Sequence, residues 1–432
     1  MVEQFMTPGA RTPRAGVPAA SVVDLVPETP IWDAFVARSN PGSYLQTSAW
    51  AEVKAPNGWR PVRLMGSSIV GVAGPATPEP PVSSAGAATV TPQATALPDP
   101  DAVEHEDAAA EAGIERETAF GVQLLLRRPR LFPWAFAYAP RGPILEEWNP
   151  ATFEAFSGAL QLTLASAPER VSHVRIEPEV ELNGPSDQDG ELRHALRRNG
   201  WRPGTPIQPP RTRKIDLRAD EEALWGDLRS KWRQYVSKAR RNGIRVVDAG
   251  VERLPEFYSI YQETARRAGF IIRTYDSYIA VWQAFAKLGM ARLLMAETSQ
   301  GKGVATLFVL RVGNRVIEPY GGMTAEGAES RANYLLKWEA IRTSRQQGAV
   351  SYDMWGLSHE GIEQFKSGFG GREIRYVGAW DLVFDPVGRL AFDGGQSVQD
   401  RIGRLRHGIR HVRGGRRGAE GRDMTGAAEG GV

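Results

Sequence analysis

The sequence predicts an α/β (α+β) chain of two units with a cleft between them, interrupted by a disordered insertion and closed by a basic tail. Three observations predict it. From Ile31 to Phe384, short apolar runs with strand spacing alternate with segments of helical spacing. Pro75 to Thr118 breaks that alternation: it is rich in Ala, Pro, Thr and acidic residues and poor in aromatics, a composition that supports no core. After Gly394 the aliphatic residues Val398, Ile402, Leu405, Ile409 and Val412 recur at spacings of four and three with arginines between them.

A chain of 432 residues accommodates two domains with tails. The expected boundaries are a disordered start at 1–21, a first unit at 22–208 holding the insertion 75–118, and a second unit at 209–371. A return strand to the first unit at 372–394 and the basic tail at 395–432 follow. No run of eighteen apolar residues suggests a membrane span. Met1 to Pro30 has no apolar stretch behind a basic start, so a secretory signal is not expected and a cytoplasmic protein is. The absence of cysteine excludes disulfides, thiolate metal sites and a cysteine nucleophile. The one H-x-x-x-H spacing, His407 and His411, lies in the tail, so neither a metal nor a cofactor is expected. A net charge of +3 is mild; its placement is what carries information.

In the first unit, Ile31–Ala37 reads as a helix. Thr47 and Ser48 can cap a second, in which Trp50 and Val53 share a face and Lys54 ends the run. Lys54 suits the helix C-terminus by charge alone. Strands are expected at Arg60–Gly74, Gly121–Arg127 and Val171–Ile176, with helices at Phe153–Ala165 and Leu192–Arg198. Pro140-Arg141-Gly142-Pro143 is a rigid turn at a strand end.

The second unit opens on the strand Thr212–Leu217. Asp220 to Asn242 keeps helical spacing through Leu224, Leu228, Trp232, Tyr235 and Ala239, predicting one helix stopped by Gly243. Its end carries Lys238, Arg240 and Arg241, more cations than capping needs. A helix at Phe257–Ala268, a loop ending in Arg273 and a helix at Tyr275–Lys287 come next. Strands follow at Ala291–Ala296, Gly303–Arg311 and Val316–Gly322, the last containing Tyr320; the helix from Asn333 ends at Gly348. Tyr352-Asp353-Met354-Trp355-Gly356 is a buried strand and its end; Phe365-Lys366-Ser367-Gly368-Phe369-Gly370-Gly371 is a helical turn closed by glycines. An ammonium at Lys366, where strand and helix converge, can neutralise a phosphate, or an oxyanion that appears only during reaction.

This closing stretch resembles that of the FemABX peptidoglycan aminoacyltransferases, a Y-D-x-x-G strand end followed by F-K-x-x-F-G. Weaker motifs follow in the family's order from Tyr44 to Phe384: P-x-G-P at Pro140, K-x-R-x-x-x-x-K-A ending the basic helix, and Y-x-G paired with N-x-L-x-x-W-x-x-I at Tyr320 and Asn333. The insertion departs from the pattern, and no coiled-coil arm interrupts the second half, as in the compact, FemX-like subgroup. The resemblance implies two acetyltransferase-like (GNAT-like) units in tandem. It implies transfer of an amino acid from aminoacyl-tRNA to the stem-peptide amine of a nucleotide-linked (UDP-linked) or lipid-linked muropeptide precursor. Within that motif Lys366 is the expected catalytic residue, stabilising the oxyanion, and Phe365 beside it is an expected substrate contact. The resemblance assigns precursor phosphate to Lys54 and Arg241, and cleft-facing positions to Arg273 and Tyr320; Lys238 and Arg240 then meet precursor or tRNA backbone. The tail stripe, 398–417, adds an expected peripheral contact with an anionic membrane at its inner face.

Two rival readings are an acyl-CoA N-acyltransferase and a non-catalytic basic RNA-binding protein. The first needs a glycine-rich loop opening a helix. The nearest string, Gln300-Gly301-Lys302-Gly303-Val304-Ala305, runs into an apolar strand instead.

Overall fold

The structure, a computed structural model, describes residues 22–24, 28–69, 116–130, 132–358 and 360–395. Two sheets carry the fold. The first runs β1 (Val22–Asp24), β2 (Arg60–Ile69), β3 (Arg116–Arg127), β4 (Ala135–Ala139), β6 (Val171–Ile176), β15 (Trp380–Val383) and β7 (Arg202–Pro203); β5 (Ile144–Leu145) pairs with β3. The second runs β14 (Arg372–Arg375), β8 (Arg211–Asp216), β13 (Ser351–Gly356), β12 (Arg315–Met323), β11 (Gly303–Val312), β10 (Ala291–Glu297) and β9 (Arg245–Ala249).

Each sheet contains one parallel pair joined by a crossover helix. In the first sheet it is β4 and β6, joined through the helix Pro150–Ala165; in the second, β12 and β13, joined through Ala332–Gln346. Every residue of β4 and β6 is buried, as covered parallel strands require. Asn149 starts the first crossover helix by accepting from the Thr152 amide at 2.9 Å, with Pro150 in its first turn, where a missing N–H costs nothing.

The two units share a core. Trp32, Tyr44 and Trp50 pack in one cluster with Phe257, Phe285 and Phe308 of the second unit. Burying each such side chain stabilises by about 1.5–3 kcal/mol. Arg315, at the start of β12, donates from Nε to the Gly42 carbonyl at 3.0 Å and from Nη2 to Val36 at 3.3 Å. It thereby satisfies carbonyls at and beyond the end of the helix Thr29–Arg38.

The structure corrects the sequence reading in three places. The predicted helix from Asp220 is two helices, Glu221–Asp227 and Ser230–Arg241. Leu228 and Arg229 are extended between them, and the Arg229 amide bonds the Gly368 carbonyl at 2.9 Å. Leu228 still enters the core, so the apolar spacing survives the break that it conceals. The predicted return strand also divides: β14 stays in the second sheet against β8, and only β15 crosses to pair with β6 and β7. Residues 386–395 then form a helix. Finally, β3 begins at Arg116, so the last three residues of the expected insertion are strand. Ile69 pairs with Arg116, so residues 70–115 connect two neighbouring points of a hairpin. Residues 1–21, 70–115 and 396–432, which hold the expected disordered start, most of the insertion and the basic stripe, lie outside the described residues.

Candidate active site

The end of β13 is built from local exceptions. A bulge separates Asp353 from Gly356, and Trp355 within it takes left-handed backbone, φ +57. Asp353 holds that shape: its Oδ1 accepts from the Trp355 amide at 2.7 Å and from the Thr212 hydroxyl. Burial raises the Asp353 carboxyl, and Lys214, 3.9 Å away, opposes the rise. Both acceptor contacts are structural, so no role as a base is needed to explain this residue.

Lys366, in the last turn of the helix Glu360–Ser367, reaches back under this strand end. Its Nζ donates to the carbonyls of Met354 at 2.6 Å, Trp355 at 3.2 Å and Gly356 at 2.8 Å. All three ammonium protons are therefore engaged. Burial pushes its pKa down to about 8; Lys337 adds to the fall, and Glu318 and Asp353 oppose it. Lys337 and Glu318 form a buried ion pair close by, and the Tyr352 hydroxyl donates to Glu318 at 2.6 Å. The glycine turn is needed to bring the helix this close. Gly371 has φ +68, and a Cβ there would lie 2.4 Å from the Lys214 carbonyl oxygen.

Behind Trp355 the units meet through charges. Arg141 lies over the rings of Tyr376 at 4.3 Å and Trp355 at 5.2 Å and donates to the Pro209 carbonyl at 2.8 Å. Glu179 sits 3.2 Å from Lys214 and 3.7 Å from Arg141. Burial pushes Glu179 up, but those two cations outweigh it and hold its carboxyl below the usual range.

The other side of Trp355 faces a cleft of about 440 Å³ between the units. Its cations are Lys54, Arg127 and Arg273; its apolar walls include Trp50, Trp59 and Phe136. Lys54 stands 4.7 Å over the Trp50 ring. Burial pushes its pKa down to about 8, and the charges of Arg273 and Arg127 push the same way. Three like charges converging on an apolar-walled cavity mark a site that gains from an anion. The Arg273 segment is pinned by tyrosines: its carbonyl accepts from the Tyr258 hydroxyl and its amide donates to the Tyr278 hydroxyl, both at 3.2 Å. Burial raises Tyr320, which also lines the cleft, to about 12.

Of the residues singled out from the sequence, Lys54, Arg273 and Tyr320 come together in the cleft. Lys366 does not line it but touches it through Trp355, which lines the cleft and whose carbonyl accepts from Lys366. Phe365 packs on Tyr334 and Phe369, each at 5.2 Å between ring centres. Lys238, Arg240 and Arg241 project from the exposed last turn of Ser230–Arg241, and Arg240 pairs with Glu339 at 2.8 Å. None of the three is in the cleft lining, so the partner of Lys54 there is Arg273 rather than Arg241. Arg127 escaped the sequence reading. It shares a strand face with Leu125, which also lines the cleft, and that alternation was its signal. In the glycine string Gln300–Ala305, the Gly303 amide donates to the Glu256 carboxylate at 2.7 Å. That carboxylate occupies the donor a pyrophosphate would require.

Compared with known proteins, the chain matches the model of the FemAB family over residues 109–302 and 287–392. It is 23% identical over 273 residues to a lipid II:glycine glycyltransferase of Staphylococcus saprophyticus, covering 61% of this chain and 53% of that one. It is 21% identical over 327 residues to the enzyme of the same name from Staphylococcus aureus strain USA300, covering 74% of this chain and 62% of that one. The chain thus spans between half and two thirds of the length of these relatives. Its fold matches the crystal structure of FemX with a TM-score of 0.66 at 18% identity, over 85% of this chain and 99% of that one.

Proposed function

The chain belongs to the FemAB family, and from that premise we propose that it transfers an amino acid from aminoacyl-tRNA to the stem-peptide amine of a peptidoglycan precursor. The acceptor's amine attacks the aminoacyl ester carbonyl. A tetrahedral oxyanion forms, the C–O bond to the tRNA 3′ oxygen breaks, and the proton lost by the amine ends on that oxygen. The ester is already activated and the nucleophile is external, so the protein's task is to position two partners and stabilise an oxyanion.

The observation that carries this reading is the cleft: Lys54, Arg127 and Arg273 converge between the units, beside a wall that Lys366 anchors. Guanidinium and ammonium groups of this kind suit the diphosphate of a precursor. The names of the relatives favour a lipid-linked acceptor. Lys366 fixes the Trp355 wall, and it reaches an oxyanion only by turning one of its three donors from a strand carbonyl to the substrate. The exposed cations Lys238 and Arg241 suit tRNA backbone rather than the acceptor. Since the donor is made in the cytoplasm, the reaction is placed there. Among the described residues no helix is long and apolar enough to cross a membrane.

The test is deacylation of a labelled aminoacyl-tRNA pool. Ester loss should accelerate only when precursor is present. Binding without ester loss would favour an RNA-binding protein, and micromolar binding of acetyl-CoA in calorimetry would favour an acyl-CoA enzyme.

A further inference from the structure

We propose that the first unit docks on an anionic bilayer through the rim of the cleft, using Phe132 and the outer face of the helix at 386–395. This rests on the reading of the acceptor as a lipid-linked precursor. The helix at 386–395 turns Gly388, Ala391 and Phe392 into the cleft. Its seat is fixed. Phe392 packs on Phe136 at 4.4 Å between ring centres. Arg389 pairs with Asp381, which Arg175 also holds at 2.7 Å. Asp385 accepts from Trp134 Nε1 at 2.8 Å and from the Val387 and Gly388 amides at 3.0 Å.

A helix so firmly seated nevertheless leaves Val387 65% and Leu390 74% exposed. Each lies one residue before a cleft-facing position, about 100° round the helix from it. Val383 and Phe384 are exposed just before the helix, and Phe132 is exposed on the loop that supplies another part of the rim. Large apolar side chains gathered at a binding-site mouth mark an interaction surface.

The charges beside them choose the partner. Arg128 and Arg130 are exposed on the same loop as Phe132, and Arg170 lies 5.5 Å over Trp134. The acidic groups nearby are each held by an arginine: Asp385 by Arg170 at 2.5 Å and Asp393 by Arg389 at 2.9 Å. An apolar patch fringed by arginines fits the boundary between anionic headgroups and acyl chains. In a two-fold dimer this patch would meet its own copy, whose charged fringe is the same rather than complementary. In the sequence past Gly395, Val398, Ile402, Leu405, Ile409 and Val412 recur at spacings of four and three with arginines between them. A surface of this kind beside the cleft would bring Lys54, Arg127 and Arg273 to the headgroup level, where a lipid-borne diphosphate lies.

The test is flotation of the full-length chain with vesicles of phosphatidylglycerol and phosphatidylcholine, against phosphatidylcholine alone, at low and high salt. The wild type should float with the anionic vesicles at low salt. Val387→Ser with Leu390→Ser should cut the floated fraction about tenfold. Leu162→Ser, on an equally exposed site of the helix Pro150–Ala165, should leave it unchanged. The double variant should also keep transfer to a nucleotide-linked soluble precursor while losing transfer to a lipid-linked one in vesicles. Equal flotation of wild type and double variant overturns the proposal, as does a wild type that never floats; neither result touches transfer to the soluble precursor. A dimer in gel filtration that the double variant dissociates would give the patch to a second copy and overturn it as well.

Discussion

The Lys366 ammonium lies 2.6 Å from the carbonyl oxygen of Met354, so a side chain from the closing helix pins the end of the strand that walls the cleft. Lys366→Ala should remove both that anchor and the nearest cation that can turn toward an oxyanion. Turnover should fall by roughly 10²–10³-fold. Lys366→Arg should rescue only in part, because a planar fork cannot place three donors on three successive carbonyls. A kcat within threefold of wild type in Lys366→Ala would remove the residue from the mechanism.

The same lysine sets an expected pH dependence. Its pKa lies at about 8, below the ordinary lysine value, so the ammonium is present below that pH and is lost as pH rises through it. Activity that needs the charge should therefore fall as pH rises through about 8, and Lys54, also at about 8, should steepen the fall. Whatever activity Lys366→Arg retains should hold to higher pH, since guanidinium stays charged. Identical alkaline limbs in wild type and Lys366→Arg would detach the profile from this group.

Lys54→Ala and Arg273→Ala should each weaken acceptor binding by about 1.5–3 kcal/mol if they bond phosphate. Because the two share one cleft, the double variant should lose less than the sum. Arg241→Ala, outside the cleft lining, should leave acceptor affinity unchanged in calorimetry. The reverse pattern would return the phosphate to the basic helix.

Arg141 and Glu179 are both buried at the meeting of the units, 3.7 Å apart. Arg141→Ala leaves Glu179 paired with Lys214 alone and removes the plane stacked on Tyr376. It should lower stability by about 3–5 kcal/mol. Denaturant unfolding measures this, and a loss under 1 kcal/mol would mean that the cluster carries little of the contact between units.

Gly371→Ala should be costly in two ways: φ is +68, and the new Cβ would meet the Lys214 carbonyl. The closing helix would be displaced together with Lys366. Turnover should fall together with melting temperature; Lys366→Ala, which frees three strand carbonyls but keeps the glycine turn, should lower melting temperature by less than Gly371→Ala does.

Much of the frame was legible because local signals agreed with tertiary ones. Val171–Ile176 reads as a covered strand and is one, and the Thr47 cap does accept from the Trp50 amide. Other features depend on contacts distant in sequence. The break at Leu228 is set by a bond to Gly368, which no helical periodicity can reveal. Arg273 reaches the cleft because Tyr258 and Tyr278 pin its loop, whereas Arg241 has the stronger local motif and lies outside the cleft lining. The closing motif drew notice to Lys366, but its partners are main-chain carbonyls, which have no signature in side-chain spacing.

The most direct measurement is mass spectrometry of the precursor after incubation with the protein and aminoacyl-tRNA. The expected product is heavier by one aminoacyl residue, with the new amide on the stem-peptide amine, and its formation requires both substrates and Lys366. An unmodified precursor in the presence of intact protein and charged tRNA, or an acetylated one when acetyl-CoA is supplied, would contradict aminoacyl transfer.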